Sequence, residues 1–263
     1  MKKLQIIAGN CILENLETSL KTVEFLDKMS LKYDFDLVYK SSFKKDNRSS
    51  ADYYSGLGLE KSSEIFKTIK KNFSCKILTD FHNLYEASSE IVEYVDVLQI
   101  PAYLCMQTEL TLELAKLGKH INIKKGQFLH PEDVVNIIKK IESVGNKNII
   151  ITERGTSFGY RDLIVDPRTF VILKSFGYPV IFDGGHSVRK YGFPSSNLIE
   201  GGSKQYIVAL CKSAVVNSVD GLFVEVHPDP NKALCDAATQ LSFDEFENLI
   251  KKIIPIWSVS NEN

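Results

Sequence analysis

The sequence predicts an α/β fold, a closed (β/α)8 barrel of the TIM type, on three observations. Eight short apolar runs recur along the 263 residues, segments of helical period separate them, and the downstream end of each run carries a residue suited to ligand contact. Runs nearly continuous in Val, Ile and Leu belong to strands covered on both faces, and eight βα units in about 250 residues suit this barrel. An open, doubly wound sheet is the structural alternative.

In chain order the strand candidates are LQIIAG (4–9), FDLVYK (35–40), CKILTD (75–80), VLQIP (97–101), HINIK (120–124), NIIITER (148–154), PVIFDGG (179–185) and GLFVEVH (221–227). Helical periodicity marks SSEIFKTIKKNF, QTELTLELAKLG, PEDVVNIIKKIESVG and FDEFENLIKKIIPIW, several opening on Ser, Asp or Pro and closing at Gly as caps do. Residues 186–204, rich in Gly, Pro, Ser and Asn, read as an extended loop after strand seven and a candidate lid. No linker, low-complexity tract or internal repeat divides the chain, so residues 1–263 are expected to form a single domain.

Lys plus Arg totals 32 against 33 for Asp plus Glu, so no global field draws the protein to nucleic acid or to an anionic membrane. Without a signal peptide or an apolar stretch near the roughly 20 residues of a membrane span, the expectation is a cytoplasmic protein. The five cysteines form no CxxC pair, and their odd number argues for reduced thiols rather than a disulfide framework.

Active sites of parallel barrels are built at the C-terminal strand ends. Those ends carry Cys11, Lys40, Asp80 with His82, Gln99 with Pro101, Lys124, Arg154, His186 and Glu225. Lys40, Lys45, Lys124 and Arg154 would all meet at the mouth, where they suit a small polyanion such as a phosphorylated carboxylic acid. Taken singly, each is as readily a solvated surface cation.

Cys11, His186, Glu225 and Asp236 offer thiolate, imidazole and carboxylate, the donors a borderline divalent metal takes, and strands one, seven and eight are neighbours in a closed barrel. Spacing alone also allows Cys11 as a small core residue and His186 as a capped loop histidine, which is the plainer reading. His227, followed by proline, reads as buried and hydrogen-bonded, and His120 and His130 carry no chemistry.

KSSFKKDNRSS (40–50), TDFHN, LQIPAYL, INIKKGQF, ERGTSFGY, FDGGHS and EVHPDP stand in an order and spacing that resemble the 3-deoxy-manno-octulosonate 8-phosphate synthase family along nearly the whole chain. The resemblance implies condensation of phosphoenolpyruvate with arabinose 5-phosphate and water, in lipopolysaccharide precursor supply, by a homotetramer. It implies that Lys40, Ser42, Lys45 and Gln99 hold phosphoenolpyruvate, with Lys124 and Arg154 on its phosphate. Asn47, Arg48 and Ser49 would hold the arabinose phosphate. Cysteine at position 11 resembles the metal-dependent class, with Cys11, His186, Glu225 and Asp236 as ligands for zinc, iron, manganese or cobalt. Cys11, Lys45, Asn47, His186 and Asp236 form the implied catalytic group.

Three positions and one segment depart from the family pattern. Met106 stands where an arginine is usual, Asn10 where proline is common, and Ala237 where glycine follows the metal aspartate; SNLIEGGSKQY lacks arginine after its glycines. A related synthase using another aldose is the alternative within the family, and a sugar-phosphate-binding barrel without condensation is the alternative outside it.

Overall fold

The apolar runs become eight parallel strands, β1 (Gln5–Gly9), β2 (Asp36–Lys40), β3 (Lys76–Asp80), β4 (Val97–Ile100), β5 (His120–Lys124), β6 (Ile149–Glu153), β7 (Val180–Asp183) and β8 (Gly221–Glu225). In the computed structural model, which describes residues 3–46, 50, 52–160, 162–190 and 199–260, they close into a barrel in sequential order, with β8 pairing β1. The open-sheet alternative is excluded by that last pairing. Strand seven stops at Asp183, Gly184 still donating to the Phe223 carbonyl before the chain turns, and strand eight stops at Glu225 before Pro228.

The helices are α1 (Leu16–Tyr33), α2 (Leu59–Asn72), α3 (Leu84–Ala87), α4 (Ile91–Tyr94), α5 (Thr108–Lys116), α6 (Val134–Glu142), α7 (Pro167–Lys174), α8 (Ile207–Val216) and α9 (Phe243–Ser260). Strict βα alternation fails only between β3 and β4, where two single-turn helices replace one long one. Asn83 caps α3 by accepting from the Glu86 amide, and Ser88 and Ser89 end it by bonding back to carbonyls of the same turn.

Strand residues alternate between two cores. Ile7, Val38, Leu78, Val97, Ile150, Ile181 and Phe223 form a separate apolar cluster inside the barrel, while their neighbours, such as Ile6, Tyr39, Ile123, Phe182 and Val224, pack in the larger cluster under the helices. The inward row turns polar toward the C-terminal ends: Lys40, Asp80, Gln99, Asp183 and Glu225 follow those apolar residues two positions later, and on β5 Lys124 follows the already polar Asn122. Period two within a buried strand therefore puts the apolar plug at the floor of the barrel and the ionisable groups at its mouth.

Gly9 sits where β1 crosses β2 at closest approach. A Cβ there would lie 2.1 Å from the Lys40 carbonyl oxygen, so only glycine lets β2 bring Lys40 beside β1. Among the described residues, no helix is long and apolar enough to cross a membrane.

Candidate active site

The inward polar residues are tied into one network. Asp80 accepts from Ser42 Oγ at 2.8 Å and from Gln99 Nε2 at 2.9 Å, with Lys45 Nζ at 3.5 Å. Gln99 in turn accepts from Asn122 Nδ2 at 2.8 Å, and Asn122 from the Thr152 hydroxyl at 2.7 Å. These bonds run from the loop after β2 to β6 and fix the orientations of the Gln99 and Asn122 amides.

All four expected mouth cations are buried, Lys40 at 1%, Lys45 at 8%, Lys124 at 4% and Arg154 at 5% exposure. Lys40 Nζ bonds the Cys11 carbonyl at 3.0 Å and Glu225 Oε1 at 3.1 Å. Lys124 pairs with Asp183 and lies over the Phe223 ring, 3.4 Å from its centroid. Lys40 approaches the same ring at 5.6 Å, so Phe223 is a shared floor beneath two cations from β2 and β5.

Burial lowers the Lys124 pKa to about 8, and Lys40 and Arg154 push the same way against the pull of Asp183. The carboxylates go the other way. Burial opposes their ionisation, but Lys45 and Lys40 hold Asp80 below its ordinary value, His186 and Lys124 do so for Asp183, and His186, Lys40 and Lys45 for Glu225. At neutral pH the mouth is thus a lattice of ionised acids under cations, in a dry and preorganised setting.

The four expected metal donors converge only in part. His186 Nε2 is 3.8 Å from both Glu225 Oε1 and Asp236 Oδ2, and the ligand atoms of these three residues lie within 4.8 Å of one another. Cys11 joins through Asp236, its Sγ 3.5 Å from Oδ2, in a second grouping that includes Cys235. The donor set fits a borderline divalent ion, and the buried Glu225 Oε2 has no hydrogen-bond partner. His186 is oriented by Asp183, whose carboxylate receives its backbone amide and lies 2.9 Å from Nδ1, leaving Nε2 for the cluster.

Several groups escaped sequence reasoning. Asp80 was visible at a strand end but had no role, and Asp183, hidden inside a run that seemed to continue to Gly185, proves to pair both Lys124 and His186. Arg189, 3.4 Å from Asp236 Oδ1, had no signal at all because its loop follows no period. Asn47, Arg48 and Ser49 lie outside the described residues. Of residues 186–204, the flanks of the central segment are joined, Lys190 to the Gly201 carbonyl and Ser203 to that of Val188, while 191–198 lie outside the description.

The departures have structural counterparts. Asn10 donates to Thr22 Oγ1 and accepts from the Tyr39 hydroxyl, both at 3.0 Å, and so ties the end of β1 to α1 and β2 by hydrogen bonds where a proline would act by rigidity. The turn carries its left-handed residue at Asp236 itself, with φ of 47°, so Ala237 needs no glycine-like freedom. Met106 is exposed, and Lys204 turns away to Glu245 on α9 at 2.8 Å. His227 is buried and bonded as expected, 3.3 Å from Glu14 and accepting from the Asp229 amide.

The model of the DAHP synthetase I family matches residues 2–256. A 2-dehydro-3-deoxyphosphooctonate aldolase of Geobacter sp. (strain M21) is 41% identical over 261 residues, 99% of this chain and 94% of the relative. The chain belongs to this family. Aldolases of the same name from Bradyrhizobium diazoefficiens and Bartonella tribocorum are each 42% identical, covering 95% and 98% of this chain and 88% and 92% of theirs. Membership in the 2-dehydro-3-deoxyphosphooctonate aldolases agrees with the barrel and with the strand-end motifs quoted from the sequence.

Proposed function

We infer that this chain condenses phosphoenolpyruvate with D-arabinose 5-phosphate and water, giving 3-deoxy-D-manno-octulosonate 8-phosphate and inorganic phosphate. The observation that carries the reading is the buried cationic mouth, with Lys40, Lys45, Lys124 and Arg154 all buried and Lys40 and Lys124 over Phe223, in a chain similar to those aldolases over nearly its full length. Buried cations already aligned by Glu225, Asp80 and Asp183 form a preorganised positive pocket, and phosphoenolpyruvate supplies a carboxylate and a phosphate to meet it.

In this reading Lys40, Ser42, Lys45 and Gln99 hold the carboxylate side of phosphoenolpyruvate, and Lys124 and Arg154 hold its phosphate. The C3 carbon forms a bond to the aldehyde carbon, the aldehyde oxygen takes a proton, and water adds at C2. Loss of phosphate from C2 then leaves the keto group. Fixing both reactants at near-attack distance lowers the barrier, and Lys124 and Arg154 neutralise charge on the departing phosphate. Asn47, Arg48 and Ser49 are proposed to bind the arabinose phosphate.

We propose Cys11, His186, Glu225 and Asp236 as holders of a divalent metal, zinc, iron, manganese or cobalt. Such an ion, when bound, supplies Lewis-acid polarisation and orientation rather than redox chemistry. The partly formed cluster and the unpartnered Glu225 Oε2 support this. One catalytic domain over residues 1–263, a cytoplasmic location, a homotetramer and a role in lipopolysaccharide precursor supply complete the proposal.

Phosphate release from phosphoenolpyruvate, measured with arabinose 5-phosphate, erythrose 4-phosphate or unphosphorylated arabinose, tests the reaction. Turnover is expected with arabinose 5-phosphate alone, lost to chelator and restored by divalent metal. Turnover only with another acceptor would overturn the assigned sugar. Cys11→Ala is expected to lose metal and most activity together; retention of both would remove Cys11 from the ligand set.

A further inference from the structure

Cys235 stands outside the four-residue ligand set, yet its Sγ lies 2.8 Å from Cys11 Sγ. Both cysteines are fully buried and neither forms a disulfide. The two backbones that carry them are clamped by one side chain: Gln240 accepts from the Cys11 amide at 3.2 Å and donates to the Cys235 carbonyl at 2.8 Å. Asp236, next in sequence, adopts φ of 47°, and this left-handed turn keeps both Cys235 and Asp236 facing the cluster rather than letting one turn away. Arg189 on the loop after β7 lies 3.4 Å from Asp236 Oδ1 and brings positive charge to the same spot.

We propose that Cys235 is a second thiolate ligand of the metal, so that the ion bridges the Cys11–Cys235–Asp236 grouping and the His186–Glu225–Asp236 grouping. This rests on the metal reading of the site given above. Two thiolates on one ion, with bonds of about 2.3 Å and a sulfur–metal–sulfur angle near 109°, stand about 3.7 Å apart. The sulfur atoms therefore separate slightly on loading, an adjustment within reach of a χ1 change at either residue. Two thiolates make the site softer than the Cys, His and two-carboxylate set, and bias it toward zinc or cadmium and away from manganese.

X-ray absorption on the zinc-loaded full chain, prepared under reductant, counts the sulfur neighbours directly. Two are expected in the unmodified protein and one in Cys235→Ser, with the zinc-over-manganese affinity ratio falling by at least about tenfold in that variant. Cys235→Ala serves as a second variant of different volume, and circular dichroism confirms that the barrel is retained. One sulfur in the unmodified protein, lost in Cys11→Ser and unchanged in Cys235→Ser, would overturn the inference and leave the four-ligand reading standing. Failure to hold zinc at all would overturn both. Alkylation of the loaded protein on denaturation should modify all five cysteines; modification of three would make the pair a disulfide and end the claim of ligation.

Discussion

Lys124 joins three physical roles in one side chain: it ends β5, pairs with Asp183 and lies on the face of Phe223. Removing its charge in Lys124→Met should lower kcat/KM for phosphoenolpyruvate by about 10²–10³, the usual loss for one preorganised donor at developing charge. Its pKa of about 8 sets a further expectation. In the proposed role the protonated form attracts phosphate, and on that proposal KM for phosphoenolpyruvate should climb as pH rises through about 8. Lys124→Arg keeps its charge well beyond that point, so an alkaline limb that persists unchanged in the arginine variant would assign the limb to another group. At this scale the sequence reading reached Lys40, Lys124, Arg154 and Glu225 because strand-end position is a local property. It missed Asp183 and Cys235 as partners because pairing across strands is not.

The end of β1 shows how elements hold one another in register. Asn10 links β1 to α1 through Thr22, to β2 through Tyr39 and, at 3.4 Å, to the Val226 carbonyl just past β8. Replacing it with alanine leaves the buried Tyr39 hydroxyl and Thr22 without those bonds, and should cost about 1–3 kcal/mol in denaturant unfolding. An unchanged midpoint in Asn10→Ala would show that these bonds contribute nothing. The strands were legible in order and nearly in extent, since eight β-branched runs leave little choice. The link between β3 and β4 was not, because helices of a single turn carry too few residues to display a period.

Across the whole molecule, Asp80, Asp183 and Glu225 make the barrel acid-sensitive. Their folded pKa values lie below those of the unfolded chain, so the fold keeps them ionised where the unfolded chain has already bound protons. The stability they contribute is whole above the unfolded carboxylate value of about 4 and is lost as pH falls below it. Glu153, which burial pushes up, opposes this in part. Unfolding free energy of the metal-free protein should fall steadily between pH 5 and about 3, and a flat profile over that range would contradict the assignment.

The sequence by itself determined the barrel, the order of its strands and the gathering of cations at one end, because period-two alternation and strand-end position are written in consecutive residues. Only the tertiary structure decided which acid meets which cation, that Cys11 divides from His186 and Glu225 with Asp236 between them, and that Cys235 stands beside Cys11. Those relations depend on closure of β8 against β1 and on the turn at Asp236. The Cys11 contacts join residues more than 200 positions apart, and Lys124 meets Asp183 across 59, separations over which no local pattern carries information.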